Sequence, residues 1–289
     1  MNNLFGGAVY LSLAASIWGG MYVVSKYALD TIPPFTLLFF RYLVASVFLV
    51  CICWQKKVAL IPRQDRGLLF QIGFVGYFLS IAAQFVGTKL SSAHMGAVIT
   101  TLSPVFLSLF AILLLKERMS LQQFISMAIA FAGVLVVIGI NGGDSTLPGN
   151  ISLLLAALFW GYYSVLSRKA SVNHSSLQIT TWGILVASVM TLPTIFFELN
   201  KWTFSDLFTL PIMLSLLYIG IISTALAFFS WNKGLSLLPS HQAGHFFFFQ
   251  PVVGSLLGWL FLNEHLTSSF FTGSFLIMIG VYYNMRNQG

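Results

Sequence analysis

Charge is what this chain has least of. Asp, Glu, Lys and Arg together make up 7% of its residues, where a soluble domain carries roughly a quarter. So little charge cannot clothe a water-facing surface, which excludes a soluble globular protein. Acids are rarer still, seven in 289 residues, and none stands beside another at metal-ligating or acid/base spacing. With no HExxH, P-loop or nucleophile elbow, no enzyme is expected, and neither a metal nor a cofactor. The two cysteines, Cys51 and Cys53, would point about 200° apart on a helix, so they do not share a metal. Met1-Asn2-Asn3 brings no basic segment ahead of the first apolar run. That run is too long for a signal peptide and is expected to be a retained first span.

Apolar residues are abundant. The chain is 57% hydrophobic and 16% aromatic, with a mean hydropathy of +0.88. A helix crosses a bilayer with about 20 apolar residues. On that ruler the chain divides into ten spans near 5–27, 34–54, 67–88, 93–115, 121–140, 149–168, 177–197, 209–231, 241–262 and 267–285. Turn formers and charges separate them, among them Pro33-Pro34, Lys56-Lys57, Asn141-Gly142-Gly143-Asp144 and Arg168-Lys169. A net charge of +7 would suggest nucleic acid in a soluble protein. Here it reflects the excess of Lys and Arg on cytoplasmic loops, and no nucleic-acid partner is expected. With the N-terminus inside, Lys56, Lys57, Arg63, Arg66, Lys116, Arg118, Arg168, Lys169, Lys233 and Arg286 collect on the inner side, leaving Lys26, Lys89 and Lys201 outside. The expected fold is therefore an all-α integral membrane protein with both termini inside.

The second half repeats the first. Gly7, Trp18-Gly19 and Ser25-Lys26 return 142 positions later as Gly149, Trp160-Gly161 and Ser167-Arg168. Pro104-Val105 and the Lys116–Ser120 corner return 147 positions later as Pro251-Val252 and Asn263–Thr267. The basic corner at Lys116–Arg118 becomes Asn263–His265, and Lys56–Arg66 corresponds to the acidic Glu198–Asp206. Swapped charges around a copied apolar plan imply two inverted five-helix repeats, 1–144 and 145–289, an arrangement typical of alternating-access transporters.

Paired interruptions in inverted repeats are the best sequence pointer to a substrate site. Pro104 and Pro251 fall midway along spans 4 and 9 and would free the carbonyls of Thr100 and Phe247; packing kinks are the alternative. Trp18 and Trp160, with Tyr22 and Tyr163 about one turn away, form either an aromatic wall or a repeated helix contact. Span 9 carries His245, the run Phe246–Phe249, and Gln250. His245 either serves function, as intramembrane ionisable residues often do, or hydrogen-bonds a carbonyl near the inner end. Gln84 and Gln250 need partners in an apolar setting. Arg41, about 10 Å into span 2 at 1.5 Å per residue, has the depth to snorkel, so an outer-gate or interface role stands level with a substrate contact, and Trp182 aligns with it. Glu117 and Glu264 sit at span ends, where they cap helices or take part in gating. The cavity lining expected is Trp18, Tyr22, Gln84, Thr100, Thr101, Trp160, Tyr163, Trp231, His245 and Gln250, suited to an amphipathic solute or to a cation held on aromatic faces.

The stretch Ser92-Ala93 to Pro104, with Leu113-Leu114-Leu115-Lys116-Glu117-Arg118-Met119-Ser120 and Gly133-Val134, resembles the signature of the EamA family of the drug/metabolite transporter superfamily. A second copy runs through Leu237-Leu238-Pro239, Pro251-Val252, Asn263–Thr267 and Gly280-Val281, and Arg41 resembles the arginine often found in the family's second span. His265 departs from the arginine common there. The resemblance implies ten helices, with spans 1, 3, 4, 6, 8 and 9 around a central cavity and spans 5 and 10 peripheral. It implies export of amino acids, other metabolites or drugs across a bacterial inner membrane. The expected partners are a small-molecule substrate and the lipid bilayer, with monomer and homodimer both open. Movement down a gradient is expected, His245 being the one obvious titratable alternative. A lipid-modifying membrane enzyme and a non-transporting sensory protein are the competing classes.

Overall fold

The computed structural model describes residues 2–59, 64–116, 120–138, 146–238, 243–263 and 267–286. Helix is the only extended secondary structure among them. The helices are α1 (Asn2–Thr31), α2 (Pro34–Gln55), α3 (Arg66–Leu90), α4 (93–115), α5 (Leu121–Ile138), α6 (Leu147–Ala170), α7 (Ser176–Ile195), α8 (Leu210–Leu237), α9 (244–262) and α10 (Ser268–Arg286). Seven of the described helices, α1–α4 and α6–α8, are long and apolar enough to cross a membrane, and shorter apolar stretches lie in α5 and α10. Large apolar side chains within the helices, such as Val47, Leu113, Val189 and Leu214, face outward, as a lipid-facing surface requires.

Local chemistry sets the ends. Pro34 opens α2, where its missing N–H costs no hydrogen bond. The hydroxyls of Ser92, Thr146 and Ser175 accept from the backbone N–H three residues on, opening α4, α6 and α7. Helix α4 ends at Lys116 (φ 56°) and α9 at Asn263 (φ 52°), left-handed terminators at matching positions of the two repeats. Inside α3 and α8 the backbone opens into π-helical stretches, Ile72–Leu79 and Tyr218–Leu226, again at matching positions.

Packing carries the same twofold pattern. Helix α1 lies against α8 and α9, and α6 lies against α3 and α4; α2 crosses α8, and α7 crosses α3. Helices α2 and α7 meet each other, as do α5 and α10. Glycines mark the crossings. A Cβ on Gly73 would stand 2.6 Å from Val186 of α7, and one on Gly220 would stand 2.7 Å from Val44 of α2. Likewise a Cβ on Gly19 would stand 2.7 Å from Val253 on α9, and one on Gly161 2.6 Å from the Leu107 backbone on α4. By these contacts Arg41 corresponds to Gly183, correcting by one residue the alignment with Trp182.

Candidate functional site

At the crossing of the two halves lies a small cavity. Its lining comes from α1 (Trp18, Met21, Tyr22), α2 (Arg41), α3 (Ser80, Ile81, Gln84), α4 (Thr100, Ser103), α6 (Ala156, Trp160), α8 (Phe228) and α9 (Phe247, Gln250). Helix α2 joins the six helices expected to surround a cavity. Among the described residues, helices α5 and α10 contribute no lining residue.

The aromatic floor is tight. The Trp18 and Trp160 rings meet edge to face at 5.0 Å, and Phe228 lies 5.4 Å and 5.3 Å from them. Trp18 donates its indole N–H to the carbonyl of Ser223 at 2.9 Å, inside the π-helical stretch of α8. Trp160 has no such partner for its own. The glycines beside both tryptophans allow the close crossings, so each Trp-Gly pair both packs helices and lines the cavity.

Helix breaks place the polar groups. Thr100–Leu102 form a tight 3₁₀ turn, and α-helix resumes at Ser103 with Pro104 in its first turn. The carbonyl of Thr100, which Pro104 cannot engage, accepts the Ser103 hydroxyl at 2.7 Å. Thr100 Oγ1 donates to Gly96 O at 2.7 Å, so the 2.6 Å contact with Tyr22 is donated by the phenol. Gln250 Oε1 lies 3.5 Å from the same hydroxyl. Along α9 a 3₁₀ segment, Gly244–Phe248, precedes the helix that carries a buried Pro251.

Six of the expected lining residues meet at the cavity: Trp18, Tyr22, Gln84, Thr100, Trp160 and Gln250. Three others are buried beside it but do not line it. Thr101 turns back to the Val98 carbonyl at 2.5 Å. Trp231 is fully buried behind Trp18 and Phe247. Tyr163 packs under Trp160 and donates to Asn232 at 2.8 Å. The His245 side chain, and Glu117 and Glu264 entirely, lie outside the described residues.

Arg41 does not snorkel. It is fully buried and lines the cavity. Depth along a helix fixes height in the membrane but not which way the side chain turns, and the rotation of α2 turns this one inward. Its Nε donates to Thr224 Oγ1 at 2.7 Å, and its guanidinium carbon lies 5.1 Å from the Phe85 ring and 5.6 Å from that of Tyr42. Nη1 and Nη2 have no partner.

Beyond the aromatic floor lies a polar cluster that sequence reasoning missed. Asn232 of α8 accepts from Tyr163 at 2.8 Å and Ser167 at 2.5 Å, and donates to Tyr77 at 3.0 Å and Thr180 at 2.8 Å. One side chain thus joins α3, α6, α7 and α8. A lone asparagine in an apolar helix was the available signal. Matched basic residues fasten the helix ends: Lys26 donates to the carbonyls of Thr88, Lys89 and Ser91 at the end of α3, and Arg168 to that of Leu238 after α8.

Comparison with known proteins agrees with this architecture. The EamA-like transporter family matches residues 5–139 and again 147–286. The chain is 27% identical over 282 residues to the uncharacterized transporter YoaV of Bacillus subtilis (strain 168), covering 93% of this chain and 92% of that one. It is 26% identical over 282 residues to a protein of Salmonella typhimurium named a probable amino-acid metabolite efflux pump, covering 94% and 92% respectively. A solved crystal structure superposes with a TM-score of 0.75 at 20% identity, covering 96% of this chain and 98% of that chain, a likeness of fold.

Proposed function

The chain belongs to the EamA-like transporter family, and on that premise we propose that it moves a small amphipathic metabolite by alternating access around the Trp18–Trp160 cavity. It is a multi-pass membrane transporter and not an enzyme. In this proposal ten helices span a bacterial inner membrane as two inverted halves, residues 1–144 and 145–289, with both termini inside. The observation that carries the reading is the cavity itself. Both halves line it, and the repeated tryptophans meet there edge to face. An amino acid stands first among candidate solutes because the Salmonella relative is named for one.

Each end has its own fastening. In the proposed orientation the Asn232 cluster and Arg168–Leu238 close the inner end, while Tyr22–Thr100 and the Lys26 contacts close the outer end. Rocking one set of helices on the other breaks one group while the other forms, so the solute meets one side at a time. Among the described residues no carboxylate lines the cavity, which supports movement down a gradient without a carboxylate proton carrier.

The test is transport into proteoliposomes. Uptake of an aromatic amino acid should persist when a pH gradient is collapsed and be lost in Trp160→Ala protein whose thermal melt is preserved. Unchanged uptake in that variant would overturn the cavity assignment. Uphill uptake abolished by His245→Ala would overturn the gradient-driven mechanism.

A further inference from the structure

The cavity is one-sided in its chemistry. Four buried polar atoms on its lining residues have no partner: Arg41 Nη1 and Nη2, Gln84 Nε2 and Trp160 Nε1. All four are donors. The hydroxyls of Tyr22, Ser80, Thr100 and Ser103 are already engaged, Ser80 with the Ala156 carbonyl at 2.9 Å. Charge is equally lopsided. Among the described residues Arg41 makes no ion pair, and buried Glu198 is occupied elsewhere, accepting from the Thr36 N–H at 2.8 Å and its hydroxyl at 2.9 Å.

We propose that the cargo is an organic monocarboxylate with an apolar body, and that Arg41 selects its charge. The proposal rests on the cavity being the transport site. A carboxylate offers acceptors alone, and its two oxygens match the two free arms of a guanidinium. One buried cation balances one negative charge. A phosphate dianion would leave a second charge uncompensated in a low-dielectric setting, and a solute whose only charge is an amine or quaternary ammonium would meet Arg41 as a like charge. The repeat gives the solute a direction. Position 183, which corresponds to Arg41, is a glycine on which a Cβ would stand 2.6 Å from the Tyr77 ring, so the second half supplies no matching cation. The carboxylate lies toward Arg41, and the apolar body rests on Trp18, Trp160 and Phe228.

The test uses three probes with one body and different heads: phenylacetate, phenylacetamide and phenethylamine. Binding to the purified full-length protein is read by quenching of tryptophan fluorescence. Phenylacetate should bind at least about tenfold more tightly than the amide, the difference expected for a hydrogen bond to a charged group, and the amine should bind most weakly. Arg41→Gln should erase the preference for acid over amide, and Arg41→Lys should restore part of it. Equal binding of acid and amide to the wild type, tighter binding of the amine, or an unchanged preference in Arg41→Gln would overturn the charge assignment and leave the cavity standing. Failure of all three probes to bind would overturn the cavity reading together with it. Should Arg41→Gln fail to fold, the acid–amide comparison on the wild type still decides.

Discussion

Replacing Asn232 by leucine tests whether the polar cluster is a latch. The two side chains are similar in size, so the main loss is four hydrogen bonds, to Tyr163, Ser167, Tyr77 and Thr180. Interhelical hydrogen bonds in membrane proteins average about 0.6 kcal/mol, which puts four near 2.4 kcal/mol. Some of this is recovered, because the Tyr77 and Tyr163 hydroxyls already lie 3.2 Å apart and Thr180 keeps its bond to the Ser176 carbonyl. A net loss of about 2 kcal/mol shifts an open–closed equilibrium about thirtyfold. The assay is labelling of Ser164→Cys, one turn from Ser167 on α6, by a water-soluble maleimide in protein lacking Cys51 and Cys53. Asn232→Leu should raise the labelling rate about thirtyfold while Ala157→Cys, fully buried farther along the same helix, stays protected. An unchanged rate at Ser164→Cys refutes the latch. An equal rise at both sites indicates general loosening and refutes it too.

Other parts of the fold yield further expectations. Glu198→Gln removes a charge-assisted cap from the start of α2 and should cost about 1 kcal/mol, read as a melting temperature lower by a few degrees. Asp65, in the loop before α3, accepts from Asn173 at 3.0 Å and from His174 at 3.2 Å. These bonds hold its carboxyl below the usual range, the Asn173 bond contributing most. A depressed value stabilises the fold above the ordinary carboxylate range and loses that stabilisation as pH falls through the folded value. Asp65→Asn should therefore flatten the acid limb of a stability–pH curve, below about pH 4. Gly161→Ala would place a Cβ 2.6 Å from the Leu107 backbone nitrogen and should lower the melting temperature. Gly6→Ala meets nothing within 4 Å and should leave it unchanged or raise it slightly.

The halves could be aligned by eye because close helix crossings leave durable marks. Gly7, Gly19, Gly149 and Gly161 all sit where another helix touches the backbone, and no larger residue fits there. Pro104 likewise announced its break, since a missing N–H has the same consequence in any context. The π-helical stretches of α3 and α8 left no comparable mark, because any apolar helix can open that way when its packing demands it. For Arg41 the sequence left gate and substrate contact both open, because depth is local information while rotation depends on how α2 packs against α7 and α8. The Asn232 cluster was hidden because its members come from four helices that sequence spacing does not relate.

The crossed packing of the halves has a consequence for assembly. Helix α1 lies chiefly against α8 and α9, and α6 against α3 and α4. Neither half, produced alone, contains the partners its own tryptophan helix packs against, so the cavity belongs to neither. During synthesis the first half is made with α1 lacking its main partners and holding only its lesser contacts to α3 and α4, such as those of Lys26 and Tyr22, and the site is assembled only when α8 and α9 arrive. Two fragments divided between residues 139 and 147 should consequently fold as a pair, each serving as the other's scaffold.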